Sequence, residues 1–402
     1  MPDALVLNSA LTSLRDTMQL PDVRIVPLTA GLSRIELPTE EVLDQVRSLP
    51  GVVAGRMSVS IEGQPMDVHG AGFPMPAGFE LRSRLLSDAA TPTDGGDGVL
   101  IGLVDSGIYP NSWLDGGYLS APDDFERAFP QGEPDKPLPL EIGHGTFAAG
   151  LILQQAPAAG VWVERVLDGS GLAESSRVAE AALLLARRGV HVLNLSLGAF
   201  ADDPNAKAVM EQLITDLKQV NPNLVIVAAA GNLAHDHAPG DFWPAALPDV
   251  LAVGAVESAP AAPGTTTPLA SWSNRGSWLD LAAPGKDLLS TYLDRPITPP
   301  GQTEPVAYEG WAIWSGTSFA TAVVSGAIAR LMSDGSTSAA EAVGKLRAGT
   351  ALNAGWTTAE ADGVPAVPVV SLRTDFLQTQ VRGPALDSSM LRRRSGPNGS
   401  GG

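Results

Sequence analysis

Apolar runs alternate with amphipathic stretches from residue 99 to about residue 350. Largely apolar runs at 99–104, 161–167, 190–197, 224–229 and 250–256 predict strands, and helical patterns lie between them at 146–155, 175–188 and 206–220. A further helix is predicted at 318–331. Strands without a polar face, separated by helices, are typical of a parallel sheet that is covered on both sides. Residues 99–374 are therefore predicted to form an α/β domain, a doubly wound and mostly parallel sheet with helices on both faces.

A different pattern over residues 1–62 predicts a small α+β domain. Strands are expected at 23–28 and 32–37, and a helix is expected after Pro38. Pro50 and Gly51 end the helix, and alternation of apolar residues over 57–61 then predicts a half-buried strand. The apolar positions that share one face of the helix are Val42, Leu43, Val46 and Leu49.

Two segments carry weaker patterns. Residues 63–98 are rich in Gly, Pro and Asp and are predicted to be a linker with a lead-in helix near 80–86. Ser338 and Glu341 form a capping-box pattern that predicts a last helix to about residue 348, and a strand is expected near 367–372. Residues 375–402 are predicted to be a disordered tail.

The composition narrows the possible partners. A length of 402 residues suits two or three domains, and 26 basic against 44 acidic residues give a net charge of −18. Such an acidic chain is a poor ligand for phosphate backbones or anionic lipids, so we expect no nucleic-acid and no membrane partner. The same charge favours basic or neutral substrates.

The chain contains no cysteine, which excludes disulfides, thiol nucleophiles and cysteine-based metal sites. Its N-terminus lacks a basic segment followed by an apolar core, and its apolar runs are too short to span a bilayer. The expected location is cytoplasmic, or secreted if an export signal was removed from the sequence.

Three residues are of the types that nucleophilic catalysis uses, and each lies at the end of a predicted strand or helix. Asp105 follows the strand at 99–104, at the carboxyl edge of the sheet where such sheets bind ligands. His144, one of five histidines, stands where a loop enters a helix, and histidine is the usual general base at neutral pH. Ser318 opens the helix 318–331, where its own N–H would point at a developing oxyanion.

The order Asp, His, Ser and the segments around these residues resemble the subtilisin-like serine proteases, or subtilases (peptidase S8). The resemblance runs almost continuously from residue 99 to about 351, and its motifs stand in the family order. They are Val104-Asp105-Ser106-Gly107, Gly143-His144-Gly145-Thr146, Asp168-Gly169-Ser170-Gly171, Asn194-Leu195-Ser196-Leu197-Gly198, Ala229-Ala230-Gly231-Asn232, Ser271-Trp272-Ser273-Asn274, Ala283-Pro284-Gly285 and Gly316-Thr317-Ser318.

This resemblance implies a role for each matching residue. Ser318 would attack the scissile carbonyl, His144 would take and return its proton, and Asp105 would hold the imidazole tautomer. Asn232 would donate its side-chain NH₂ to the oxyanion, beside the Ser318 N–H. The implied substrate-binding residues form exposed edges that take up an extended peptide by strand addition, together with Gly231. These edge residues are Gly169, Ser170, Gly171, Ser196, Leu197 and Gly198.

Structural interpretations compete with the catalytic ones. A single Asp after a strand or a single Ser at a helix start is most often a cap, and Asn232 could be an ordinary turn residue after Gly231. The pair His235 and His237 invites a metal interpretation, but its spacing matches no standard zinc site, so we expect a solvated loop.

The sequence departs from the family pattern at three places. Ala322 replaces a proline that usually follows the nucleophile by four residues, which could change how an acyl-enzyme partitions between water and an amine. The segment after residue 153 is too short and too poor in oxygen ligands for a calcium loop, so no calcium is expected there. Ala199 stands where a second glycine often follows, which puts side-chain preference in doubt.

The small N-terminal domain resembles the inhibitor-type propeptides that precede many subtilases. The match rests on the element pattern and on Leu49-Pro50-Gly51-Val52, against the alternative of an unrelated accessory domain. It implies an intramolecular inhibitor and folding aid, released by a cut between about residues 63 and 98.

The sequence thus predicts a serine endopeptidase without metal or organic cofactor, acting on peptides or proteins in intracellular processing. Two alternatives stay open: a peptide ligase or macrocyclase on the same fold, and a non-catalytic peptide-binding module.

Overall fold

A computed structural model describes most of the chain. It covers residues 3–10, 23–49, 51–60, 74–76, 95–120, 139–200, 204–234, 240–257, 264–297, 303–352, 357–358 and 364–373. The predicted lead-in helix near 80–86, the pair His235 and His237, and the predicted tail at 375–402 lie outside these residues.

Helices and strands are interspersed along the chain. The helices are α1 (Glu40–Ser48), α2 (His144–Gln155), α3 (Ser175–Arg187), α4 (Pro204–Val220), α5 (Thr317–Leu331) and α6 (Ala339–Arg347). The strands up to the middle of the chain are β1 (Asp3–Leu7), β2 (Arg24–Pro27), β3 (Leu32–Glu36), β4 (Ala54–Gly55), β5 (Ser58–Ser60), β6 (Met75–Pro76), β7 (Leu100–Asp105), β8 (Tyr118–Ser120), β9 (Gly160–Arg165), β10 (Leu172–Glu174) and β11 (Val192–Leu195). Those that follow are β12 (Ala199–Phe200), β13 (Val225–Ala229), β14 (Phe242–Trp243), β15 (Val250–Val256), β16 (Thr266–Thr267), β17 (Leu281–Pro284), β18 (Leu288–Thr291), β19 (Pro296–Ile297), β20 (Val306–Ala307), β21 (Trp311–Trp314) and β22 (Thr357–Thr358).

The main sheet has the strand order β17-β15-β13-β11-β7-β9-β8, and all its neighbours pair in parallel. Strands β11, β13, β15 and β17 are buried along their whole length. Helices α2 and α5 pack on each other, as do α3 and α4, and β7 contacts helices of both pairs. The predicted doubly wound α/β fold is therefore confirmed.

The N-terminal unit is an antiparallel sheet of order β2-β3-β1-β4. Because side chains alternate along a strand, Val6 and Ile35 face a small core of their own that includes Leu43 and Val46 of α1. Leu5 and Leu32 point the other way, into the main hydrophobic core. The sheet thus has its own core on one face and packs through the other against α3 and α4.

Three sequence expectations differ from the structure. The N-terminal segment holds β1, the strand that joins β3 to β4, which the sequence pattern did not reveal. The strand predicted at 57–61 is β5, which pairs with β10 of the larger unit instead of with the N-terminal sheet. Residues 367–372 make only isolated bridges, and Pro368 within this segment has no N–H to donate to a ladder.

Within the described ranges, no helix has the length and apolar character required to cross a membrane.

Candidate active site

Asp105 and His144 form a buried hydrogen-bonded pair. Asp105 ends β7 and is fully buried, while His144 begins α2 with 2 % of its surface exposed. The His144 Nδ1 atom lies 2.8 Å from Oδ1 and 3.0 Å from Oδ2 of the carboxylate. Because an ionised carboxylate can only accept, the pair places the ring proton on Nδ1 and leaves the lone pair on Nε2. His144 can therefore act as a base on its other side.

Small residues allow the two segments to approach. A Cβ atom on Gly145 would lie 2.2 Å from the Gly107 carbonyl oxygen and 3.1 Å from Asp105 Oδ1. The Ser106 hydroxyl donates to the Ile142 carbonyl and accepts from the Gly145 N–H, each at 3.0 Å. These contacts fix the end of β7 to the start of α2 and so hold the Asp–His geometry.

Ser318 lies in the first turn of α5, with 1 % of its surface exposed. Its hydroxyl donates to the Ser196 carbonyl oxygen at 3.1 Å, and the Ser196 hydroxyl lies 2.9 Å from the Ser318 carbonyl. These reciprocal contacts join the start of α5 to the segment after β11.

Asn232 follows β13 and contacts the same turn. Its Oδ1 accepts from the Thr317 N–H and the Thr317 hydroxyl, both at 2.9 Å. A backbone N–H can only donate, so this side of the amide must be the oxygen. The Nδ2 atom is then the hydrogen-bond donor of the Asn232 side chain. It lies close to Gly316, because a Cβ atom built on Gly316 would be 3.6 Å from it.

Aromatic rings that sequence reasoning missed surround His144. The ring of Trp314 lies edge-on at 5.5 Å and that of Phe319 at 5.1 Å, measured between centroids. The Tyr292 hydroxyl donates to the Leu140 carbonyl at 2.6 Å, and burial raises the Tyr292 pKa well above its ordinary value. Phe319 could have been found in the sequence because it directly follows Ser318, whereas no neighbouring motif indicated Tyr292.

The predicted substrate edges differ in exposure. Ser170 is exposed and Gly169 half-buried, but Gly171, Ser196, Leu197 and Gly198 are buried, which corrects the expectation of exposure at these four positions. The reason is tertiary: α5 covers Ser196, and the adjoining strand β12 pairs with β14.

Gly198 and Gly231 contact a residue that the sequence analysis did not name. A Cβ atom at either position would collide with the ring of Phe242, which is 1 % exposed. The two glycines lie on the segments that flank Ser318.

Two carboxyl groups lie near the pair. Burial raises the pKa of Glu141, on the turn before His144. For Asp168 burial also favours the neutral form, but hydrogen bonds from Ser170 and Leu172 outweigh it and lower the pKa. In the described part of the chain, no three or more His, Asp or Glu side chains are grouped so as to hold a metal ion.

The predicted residues thus fall into connected groups. Asp105 bonds to His144, and Asn232 reaches the turn of Ser318 through Thr317. The Gly169–Gly171 segment adjoins the loop before His144, because a Cβ of Gly169 would lie 2.9 Å from Pro139.

Comparison with known proteins gives consistent matches. The model of the Subtilase family matches residues 96–368. A thermophilic serine proteinase of Bacillus sp. (strain AK1) is 32% identical over 255 residues, covering 60% of this chain and 54% of that protein. Subtilisin Savinase of Lederbergia lenta is 32% identical over 245 residues, covering 58% of this chain and 76% of that protein. The chain thus spans about half the length of the first of these relatives.

Solved structures show the same fold. Fervidolysin from Fervidobacterium pennivorans, described as a keratinolytic enzyme related to subtilisin, is similar with a TM-score of 0.60 and 18% identity, over 94% of this chain and 60% of that one. A lanthipeptide protease is similar with a TM-score of 0.54 and 20% identity, over 77% of this chain and 99% of that one. Sequence identities this low support a shared fold and nothing further.

Proposed function

The chain belongs to the Subtilase family, and from that premise we propose that it is a serine endopeptidase with Ser318 as nucleophile, His144 as general base and Asp105 as the partner of the base. The observation that carries the proposal is the buried pair of Asp105 and His144, at 2.8 Å, with Ser318 at the start of α5. This is the arrangement of residue types that activates a hydroxyl for attack on a carbonyl.

The first step requires the Ser318 hydroxyl to change its partner. The hydroxyl has one proton and donates it to the Ser196 carbonyl, so it must turn toward Nε2 of His144 to be activated. His144 takes the proton as Ser318 Oγ attacks the scissile carbonyl carbon. Asp105 stabilises the imidazolium that forms, and it does so without taking the proton itself.

The negative charge then develops on the former carbonyl oxygen. The Ser318 N–H at the helix N-terminus and Asn232 Nδ2 are its proposed donors. The tetrahedral intermediate collapses to an ester on Ser318 while His144 gives its proton to the leaving amine. Water, deprotonated by His144, attacks the ester, and the carboxylic acid and the Ser318 hydroxyl are released.

The N-terminal unit is proposed to act as the intramolecular inhibitor and folding aid. Strand β5 pairs antiparallel with β10, which directly continues the predicted substrate edge. The Arg56 guanidinium adds two contacts of 2.9 Å to the carboxylate of Glu174 on β10. A strand bound at this place competes with a substrate strand for the same edge.

An active-site serine reagent tests the proposal. A fluorophosphonate should label the wild type or its processed form at Ser318, and Ser318→Ala should not react. Ser336→Ala removes an exposed serine of another loop and should label like the wild type. Absence of label from folded wild type, or equal label on Ser318→Ala, would contradict the proposed nucleophile.

Ligation stays a second candidate because of Ala322. This residue is buried in α5 and, unlike a proline, carries a backbone N–H. A peptide ester incubated with an added amine distinguishes hydrolysis from ligation by the ratio of hydrolysed to aminolysed product.

A bound peptide that is never cut would instead favour a non-catalytic peptide-binding module. An intracellular processing role stays a prediction.

A further inference from the structure

The start of α5 is bracketed by two segments. On one side the Ser196 carbonyl lies 3.1 Å from the Ser318 hydroxyl. On the other side the Gly231 N–H donates to the Thr317 hydroxyl at 3.0 Å. For a substrate whose carbonyl carbon meets Ser318, we take the space between these segments as the place of the neighbouring side chain on the acyl side of the scissile bond. The space between them is here called the primary pocket.

The ring of Phe242 lies between Gly198 on the first segment and Gly231 on the second. Its Cε1 atom is 2.3 Å from where a Cβ of Gly198 would stand and 3.0 Å from the corresponding position at Gly231. The adjacent Cζ atom is 2.8 Å from the Gly231 position. One edge of a single ring therefore touches both walls, and the absence of side chains at both glycines makes room for this ring.

The ring is held in place. Strands β12 and β14 pair antiparallel and set Phe200 opposite Phe242. The two rings meet edge to face with centroids 5.2 Å apart. The Asn274 Nδ2 atom lies 2.4 Å from the Gly231 position, so that position is closed from a second direction. Since Phe242 is 1 % exposed, moving its ring aside would require the surrounding packing to open.

We propose that Phe242 closes the primary pocket and restricts the substrate residue on the acyl side of the scissile bond to small side chains such as glycine, alanine and serine. The inference rests on the proposed endopeptidase function and names its substrate class. A large side chain cannot share the volume of a packed ring, and even one excess methylene in a filled pocket changes discrimination by about 10- to 200-fold.

The experiment compares two peptide substrates that differ only at this residue, alanine or phenylalanine. Active sites are first titrated with a small serine reagent, so that rates refer to competent enzyme. For the wild type we expect kcat/KM to favour alanine by at least about 100-fold. In Phe242→Ala this ratio should fall by about 100-fold, because the vacated volume admits the larger side chain.

Two further variants sharpen the comparison. Phe242→Leu keeps most of the packing and should lower the ratio by a smaller factor, which preserves the test if Phe242→Ala does not fold. Phe200→Ala removes the supporting ring, which faces Phe242 from the β12 side, but leaves Phe242 itself in the pocket, so it should lower the ratio by less than Phe242→Ala does.

The outcomes distinguish the two levels of the proposal. Titratable enzyme that cleaves both peptides equally, or a ratio unchanged in both Phe242 variants, overturns the role of Phe242. So does a ratio that falls equally in Phe200→Ala. Folded protein without a reactive serine overturns the proposed function instead.

Discussion

Glu141 shows how one residue beside the candidate base adds a pH dependence to the fold. It lies in the turn Leu140–Gly143, three residues before His144, and is half-buried. Burial raises the pKa of Glu141 above the ordinary value of 4.5. Its backbone hydrogen bond and the nearby His144 lower the pKa, but their effect is smaller than that of burial. The folded protein therefore holds this proton more tightly than the unfolded chain does.

Replacing Glu141 by Gln should remove this dependence. A raised carboxyl pKa means that the free energy of unfolding falls as the pH rises from about 4.5 through the folded pKa. The stability of the Glu141→Gln protein relative to the wild type should therefore be greater at pH 7 than at pH 4. Urea unfolding of inactive Ser318→Ala proteins, with and without the Gln substitution, measures the difference at both pH values. A difference that is equal at pH 4 and pH 7 would contradict the prediction.

At the scale of an element, Asp168 organises the turn that carries the proposed substrate edge at residues 169–171. Its Oδ1 atom accepts from the Ser170 N–H at 2.8 Å, the Ser170 hydroxyl at 2.7 Å and the Leu172 N–H at 3.1 Å. The Asp168 N–H donates to the Leu172 carbonyl at 2.9 Å. One side chain thus holds the conformation of residues 169–171 through hydrogen bonds within the turn.

Asp168→Ala should raise KM by about 5- to 10-fold with little change in kcat. The substitution removes three hydrogen bonds that order the proposed edge. A 5- to 10-fold change corresponds to about 1 to 1.4 kcal/mol, the worth of about one such bond, and it falls on KM because the edge is proposed to bind ground state and transition state alike. Ser170→Ala removes only the hydroxyl contact and should raise KM less. Steady-state kinetics with one peptide measures both variants. An unchanged KM in Asp168→Ala would show that this edge does not bind the substrate.

At the scale of the whole molecule, ion pairs and strand pairing attach the N-terminal unit to the larger one. Arg34 lies 2.9 Å from Glu180 on α3, and Thr29 donates to Asp216 on α4. The Arg187 guanidinium donates to the Leu28 carbonyl at 2.5 Å. The larger unit supplies both acidic groups of these contacts, Glu180 and Asp216.

Self-cleavage should fall between residues 60 and 75. Strand β5 ends at Ser60, while β6 begins at Met75 and pairs with β21 of the larger unit. A cut between the two strands leaves β6 with the larger unit, whereas release after a cut beyond β6 would have to separate β6 from β21. The pairing therefore argues against the part of the expected range 63–98 that lies beyond residue 76. Intact mass should show wild type shortening on storage and Ser318→Ala keeping its full mass. Equal full-length masses, or a new N-terminus beyond residue 76, would contradict the prediction.

The sequence by itself determined the features that depend on near neighbours. The strand predicted at 250–256 is β15, with the same bounds, because a buried parallel strand is apolar at every position. The capping box of Ser338 and Glu341 forms as predicted, since its partners are three residues apart. Asp105 and His144 were found because each stands at the end of a recognisable element.

Only the tertiary structure decided which distant segments meet. Strand β1 joins the N-terminal sheet and β5 leaves it, and register across such distances depends on packing that periodicity does not record. Phe242 meets Gly198 and Gly231 for the same reason. Local pattern determines which elements form and where chemistry can stand, whereas contacts between remote segments determine the shape of the pocket and therefore which substrate it admits.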